Sequence, residues 1–421
     1  MRSALSVSAT LLVLTAAFSY VNHRYLRWPT TIGVMAIALL LSLVIVALDA
    51  LGISAPRGQE RALLSSINFT ALLMEGMLSI LLFAGALQVD MRQFRRMGRQ
   101  IALLALVGTA ASTLIIGYGA WFVLHAIGLG IPLVYCLLFG ALISPTDPIA
   151  VLGVLESAHA PAEVEATIAG ESLLNDGVGV VLFTLLLDML HSGAPPTLAD
   201  GVALFMREAV GGAMFGVAVG ALVNALLATI DDYRVEVLIT LATVVGGYAL
   251  ADAIHVSGPL AMVAIGLLIG SHGRAASMSE HTRERLDLFW QLLDEILNGM
   301  LFVLIGLEFA VIAAPVGGWL AAVLVVALAL LARFLVVGLP VLACPAWFEL
   351  PAGSAWLLTW SGVRGGISVA LSLSLPPGPE RDVVLMLTYS VVVFSILVQG
   401  LTIAPLVRRL QAAAAVTPPG D

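Results

Sequence analysis

Between Gly170 and Phe183 the sequence reads Gly-Glu-Ser-Leu-Leu-Asn-Asp-Gly-Val-Gly-Val-Val-Leu-Phe, which sets four polar side chains inside an apolar run. In a helix, Ser172 and Asp176 are i,i+4 neighbours on one face, and Glu171 and Asn175 form a second such pair beside it. The first strip offers a hydroxyl and a carboxylate, both oxygen ligands suited to a hard cation. The second offers Glu171, a counter-charge for a buried base. A second polar break, Ser144-Pro145-Thr146-Asp147-Pro148, adds a hydroxyl, a carboxylate and backbone carbonyls freed by Pro148. Asp147 also stands where an N-cap would stand for a helix starting at Pro148. Two arginines lie in apolar runs as well: Arg333 within Leu330–Leu335, and Arg364 within Ser361-Gly362-Val363-Arg364-Gly365-Gly366.

The medium around these groups follows from composition. Of 421 residues, 60% are hydrophobic and only 11% charged, with a mean hydropathy of +1.05. Soluble domains carry about 25% charged residues, and no soluble core of this size hides so much apolar surface. The chain is solvated by lipid, which excludes a cytosolic enzyme, a secreted disulfide scaffold, a disordered protein and a nucleic-acid binder. In lipid each ionisable group at a helix centre costs ~2.5–3.5 kcal/mol, so each should face a cavity or a partner. Arg333 cannot shed its proton, and Glu171 is its natural partner. That pairing leaves Asp176 as the carboxylate free to exchange ions. If the two glycine- and proline-broken segments cross, Asp147 and Arg364 each offset the partial charge of the facing half-helix ends. A structural role and a direct ligand role both stay open for that pair.

Counting apolar runs of roughly 20 residues gives about 13 spans. They fall at 3–20, 31–49, 68–88, 101–125, 132–155, 163–190, 202–229, 235–253, 256–271, 286–312, 317–343, 352–375 and 382–407. The first is read as a retained helix, since no small-residue cleavage site follows Tyr20. All 19 basic residues are arginines. One set of alternate loops holds Arg24, Arg27, Arg92, Arg95, Arg96, Arg99, Arg234, Arg274, Arg283, Arg285, Arg408 and Arg409, and the other only Arg2, Arg57, Arg61, Arg207 and Arg381. The imbalance places the C-terminus in the cytoplasm and the N-terminus outside. An odd span number permits an inverted repeat of six helices, a linking helix and six more. The two interrupted spans, 5 and 12, then occupy corresponding positions, which points to a midplane binding site between them. The expected fold is an all-α polytopic membrane protein with two broken, crossing helices.

The motifs at 144–148 and 170–177, with Phe289–Asn298 running on to Leu304–Glu308, Ala332-Arg333-Phe334 and Val363-Arg364-Gly365-Gly366, resemble those of the NhaP/NHE-type monovalent cation:proton antiporters. They occur in that family's order along nearly the whole chain. The resemblance implies exchange of a monovalent cation, Na⁺ or Li⁺ first and K⁺ next, for H⁺ across the bacterial inner membrane. It implies a dimerisation domain (1–100 and 192–312, the latter including the linking helix), a core domain (101–191 and 313–409) and a short cytoplasmic tail (410–421). It further implies that Asp176 binds cation and proton in turn, that Ser172 and Thr146 complete the ion shell, and that Asn175 positions the site. Glu171 and Arg333 form the buried structural pair. The Asn-Asp pair resembles the electroneutral branch. A homodimer in contact with lipid is expected, with no cofactor, no nucleotide and no enzymatic activity.

The chain departs from the family pattern in places. Some members carry an acid near Leu82-Phe83-Ala84-Gly85, a stretch that is apolar here, and Glu75 is no obvious substitute. Little sequence follows Arg409, so control through a long tail is not expected. The rival transporter is a sodium-coupled organic-anion symporter on a similar scaffold. An intramembrane hydrolase lacks a motif, since neither Gly-x-Ser-x-Gly nor His-Glu-x-x-His occurs. Asp294 and Glu295 are expected to line a cytoplasmic funnel or to be solvated at a span end, and Glu308 to be solvated or capping.

Overall fold

Asp90 accepts a hydrogen bond from the backbone N–H of Arg92 (2.8 Å) and so starts a helix earlier than the apolar pattern suggests. In the computed structural model, which describes residues 4–51, 77–192, 198–270, 280–308 and 318–416, regular structure among the described residues is helical throughout. Helices α1 (Ala4–Val21), α2 (Thr30–Ala50) and α3 (Leu78–Gln88) lead into the long α4 (Met91–Ala126). Two short helices, α5a (Leu133–Ile143) and α5b (Ile149–Ser157), make a broken passage before α6 (Ala162–Ser192). The second half comprises α7 (Ala203–Leu227), α8 (Tyr233–Ala253), α9 (Gly258–Leu268), α10 (Glu280–Glu308) and α11 (Gly318–Ala343). A second broken passage, α12a (Ser354–Trp360) and α12b (Gly366–Leu373), precedes α13 (Pro379–Ala412).

A described helix lies in each span expected from hydropathy, and eight are long and apolar enough to cross a membrane. The chain is a multi-pass membrane protein. The part of the third span before Met77, with Glu75, lies outside the described residues. The arginine cluster at 92–99 belongs to the first turns of α4 rather than to a loop. Met97 and Ile101 bury one side there while Arg92, Arg95 and Arg96 stay on the other, the amphipathic division that lets an interfacial turn extend a membrane helix.

Packing sorts the helices into two groups. In one, α2 packs on α10, α7 and α3 on α9, and α8 on α9 and α10. In the other, α4 packs on α5a, α6 and α11, and α13 packs on α5a, α5b, α11 and α12b. Close approach in the second group depends on Gly140, where an added Cβ would stand 2.3 Å from the Thr113 carbonyl oxygen. Membrane helices gain affinity from such backbone proximity because lipid supplies no hydrophobic drive between them. Wide π-helical turns interrupt α4 at Leu104–Gly108 and α11 at Phe334–Gly338, the corresponding helices of the two halves. These two turns touch each other. The second begins at the residue after Arg333, and turns of this kind recur where a helix must re-aim a functional side chain.

Candidate functional site

Helix α6 carries Glu171, Ser172, Asn175 and Asp176 with each less than a tenth exposed. The two strips expected from the spacing exist, and they meet different partners. Arg333 of α11 grips both carboxylate oxygens of Glu171, NH1 on Oε1 and NH2 on Oε2 at 2.7 Å. Its Nε donates to the Leu358 carbonyl at 3.2 Å. Both partners are buried, so the fork geometry and the third hydrogen bond must offset a large desolvation cost. Asn175 extends this side, its Nδ2 donating to Glu171 Oε1 at 3.4 Å.

Thr146, in the break between α5a and α5b, lies against the same helix. Its hydroxyl is 2.8 Å from Ser172 Oγ and accepts from Asn175 Nδ2 at 3.0 Å. Its backbone N–H donates to Asn175 Oδ1 at 3.2 Å. Asn175 therefore clamps Thr146 by backbone and side chain at once, and this clamp fixes two hydroxyl oxygens within hydrogen-bond distance of each other. Asp176 stands one turn beyond Ser172. Among the described residues no hydrogen bond reaches its carboxylate, and the charges near enough to act on it include Asp147 and Arg364. The four residues Thr146, Ser172, Asn175 and Asp176 thus gather at one place. Only the first three are joined by hydrogen bonds.

The two breaks cross. The Asp147 N–H donates to the Val363 carbonyl at 2.7 Å, which joins one extended segment to the other. Arg364 NH1 donates to the carbonyls of Ser144 (2.5 Å) and Pro145 (2.8 Å) at the C-terminal end of α5a. There its charge opposes the partial negative charge of that helix end. The Asp147 carboxylate sits where a Cβ on Gly365 would be, 2.1 Å from that ideal position, at the N-terminal end of α12b. Asp147 accordingly faces the partner half-helix. Several supports carry no signal in the sequence. Ser395 of α13 accepts from the Arg364 N–H at 3.0 Å, and Ser368 of α12b donates to the Leu142 carbonyl at 2.6 Å. A lone serine in an apolar span reads equally as a bond to its own helix.

A cavity of about 760 Å³ opens between the two helix groups on the arginine-rich face. Arg27, Glu156 and Glu295 stand on its wall, and it reaches Pro148 and Leu173, the immediate neighbours of Asp147 and Ser172. Asp294 and Asn298 of α10 also line it. Glu308, at the other end of α10, is not left to solvent as its position suggested. It accepts a 2.6 Å hydrogen bond from the buried Tyr389 hydroxyl. Leu82, Phe83 and Ala84 are buried and apolar in α3, so no carboxylate reaches the site from that stretch.

Known proteins share both the sequence and the architecture. The family model described as "Sodium/hydrogen exchanger, transmembrane" matches residues 11–409. The Na⁺/H⁺ antiporter NhaP of Pseudomonas aeruginosa is 48% identical over 415 residues, covering 97% of each chain. The Na⁺/H⁺ antiporter NhaH of Halobacillus dabanensis is 35% identical over 409 residues, covering 95% of this chain and 96% of its own. Among solved structures, the sodium proton antiporter MjNhaP1 from Methanocaldococcus jannaschii at pH 8 superposes with a TM-score of 0.75 at 19% identity. That match covers 96% of this chain and 99% of the other, and it shares the fold. The chain belongs to the sodium/hydrogen exchanger family.

Proposed function

We propose that this protein exchanges a monovalent cation for protons, with both ions competing for Asp176. One observation carries the reading: of two carboxylates on consecutive turns of α6, Glu171 is neutralised by Arg333 and Asp176 is hydrogen-bonded to none of the described residues. Proton and cation are alternative ways to neutralise a carboxylate that lipid and protein keep from water. Ser172 and Thr146 supply hydroxyl oxygens for a desolvated hard cation. Asn175 holds Thr146 in place, and Asp147 with Arg364 balances the crossed helix ends. A single exchanging carboxylate takes one cation for one proton, so the cycle is electroneutral. Na⁺ and Li⁺ are the first expected substrates, and K⁺ the next. The names of the full-length relatives, each a Na⁺/H⁺ antiporter, support the same chemistry. No step calls for a cofactor, a nucleotide or a covalent intermediate.

The two helix groups supply the movement. The group of α4–α6 and α11–α13 is the core, and it slides against α1–α3 and α7–α10, which form the dimerisation side of a homodimer. The cavity on the arginine-rich face corresponds to an inward-facing state, with that face and the C-terminus in the cytoplasm of a bacterial inner membrane. Arg92, Arg95 and Arg96 meet anionic headgroups there. If only the neutralised site crosses, and the empty charged one does not, exchange needs no further gate.

The test is transmembrane ΔpH in proteoliposomes after pulses of Na⁺, Li⁺ or K⁺, with Asp176→Asn in parallel. Cation-driven ΔpH dissipation by the wild type and none by the variant is the expected result. Folded wild-type protein that answers no cation overturns the reading.

A further inference from the structure

Asp294 is the buried acid on the wall of the 760 Å³ cavity, and nothing in the exchange cycle above uses it. It is 8% exposed, and among the described residues its Oδ1 accepts no hydrogen bond. Asn298, one turn further along α10, donates its amide to the Asp294 carbonyl at 3.0 Å and sits beside the carboxylate. The other charged residues of the cavity wall, Arg27, Glu156 and Glu295, are exposed near its mouth. Asp147 lies within electrostatic reach of Asp294 from across the cavity.

The placement matters because the two acids belong to different helix groups. Asp147 stands in the break between α5a and α5b and Asp176 on α6, whereas Asp294 stands on α10, which packs with α2, α3 and α8. A buried carboxylate lacking a full set of hydrogen bonds is costly and is stabilised when a cation enters beside it. The cavity supplies the space, and the side-chain oxygens of Gln291 and Asn298 lie on the same helix face as Asp294.

We propose that Asp294 is a cation station on the arginine-rich side, which holds the ion transiently before it passes to Asp176. It stays with the dimerisation side when the core moves, so it faces the exchange site only while the site is open to that side. Its effect is therefore one-sided. It lowers the cation concentration needed for loading from the arginine-rich face and leaves loading from the opposite face untouched. This rests on the exchange reading above.

The experiment measures initial rates of cation-driven ΔpH change in proteoliposomes of sorted orientation, with Na⁺ or Li⁺ presented to each face in turn. Orientation is read from the reaction of the exposed Cys344 with a membrane-impermeant thiol reagent, since Cys136 is buried. For Asp294→Asn the expected result is a KM about tenfold higher from the arginine-rich face, with kcat unchanged, as for loss of a carboxylate that acts before the exchange step. The KM from the opposite face stays at the wild-type value, and Asp294→Glu restores most of the difference. Equal changes from both faces, or none, overturn the inference while exchange by the wild type still stands. A wild type that answers no cation overturns the exchange reading, and this station with it.

Discussion

Two carboxylates one turn apart on α6 have opposite surroundings. Glu171 has both oxygens filled by a guanidinium that is itself held by a backbone carbonyl. Asp176, five residues on, has hydroxyl oxygens nearby and no hydrogen bond among the described residues. The difference is not one of depth, since both are less than a tenth exposed. It is one of pairing. A buried charge that is fully paired is a fixed part of the scaffold, and breaking it costs stability. A buried acid left unpaired has a neutralising partner still to be chosen, and it can be a proton or a metal ion. The helix thus keeps one acid silent so that the other can exchange.

The largest test of this contrast is Asp176→Asn, which should remove cation-driven proton movement by a factor of about 10² or more while leaving thermal stability within a few degrees of wild type. Arg333→Ala should do the reverse. It leaves Glu171 buried without its counter-charge and should cost about 3–5 kcal/mol, read as a fall in the detergent melting temperature and in the yield of folded protein. The paired change Glu171→Leu with Arg333→Met should recover most of that stability, because an apolar pair of similar volume avoids the desolvation cost. Ser172→Ala should raise the cation KM about tenfold with a smaller effect on proton binding, since it removes a cation ligand and leaves the exchanging acid. A pH series sharpens the same point: if one carboxylate serves both ions, cation KM rises as pH falls while the maximal rate holds. A falling maximal rate at constant KM would break the idea of a shared site. Smallest is Asp147→Asn, which trades a charge for a dipole at the end of α12b and should cost about 0.5–1 kcal/mol of stability.

Sequence patterns reach far into this molecule because lipid makes polarity expensive. Glu171, Asp176, Arg333 and Arg364 stand out in apolar runs, and helical spacing alone separates Glu171 from Asp176. The apolar runs are read from hydropathy for the same reason, and each contains a described helix. The details that escape are those in which the backbone is the partner. Arg364 binds the carbonyls of Ser144 and Pro145, and Arg333 that of Leu358, yet every residue has a carbonyl and none is marked for the purpose. The direction of Asp147 escapes too, because local capping and a contact with α12b are equally compatible with its position. Of the neighbours Asp294 and Glu295, one is buried on the cavity and the other exposed. That choice depends on the rotation of α10, which buries Leu286, Trp290, Asp294 and Asn298 along one face. Glu308 finds Tyr389 only through a contact 81 residues away in the chain.

The crossing of the two breaks also has a consequence for biogenesis. The carbonyls that end α5a find their donor in Arg364, 220 positions after Ser144. At ribosomal rates of about 5–20 residues per second, that interval lasts roughly 10–40 s. Throughout it the first broken passage has been made and its crossing partner has not. A newly made first half therefore leaves the ribosome with open backbone groups that lipid cannot satisfy. It must wait at the insertion machinery, or under water, until the second half arrives. The first half expressed alone should remain sensitive to protease near 144–148, and co-expression of the second half as a separate chain should restore protection. Insertion of this protein is then a joint event of both halves, completed late.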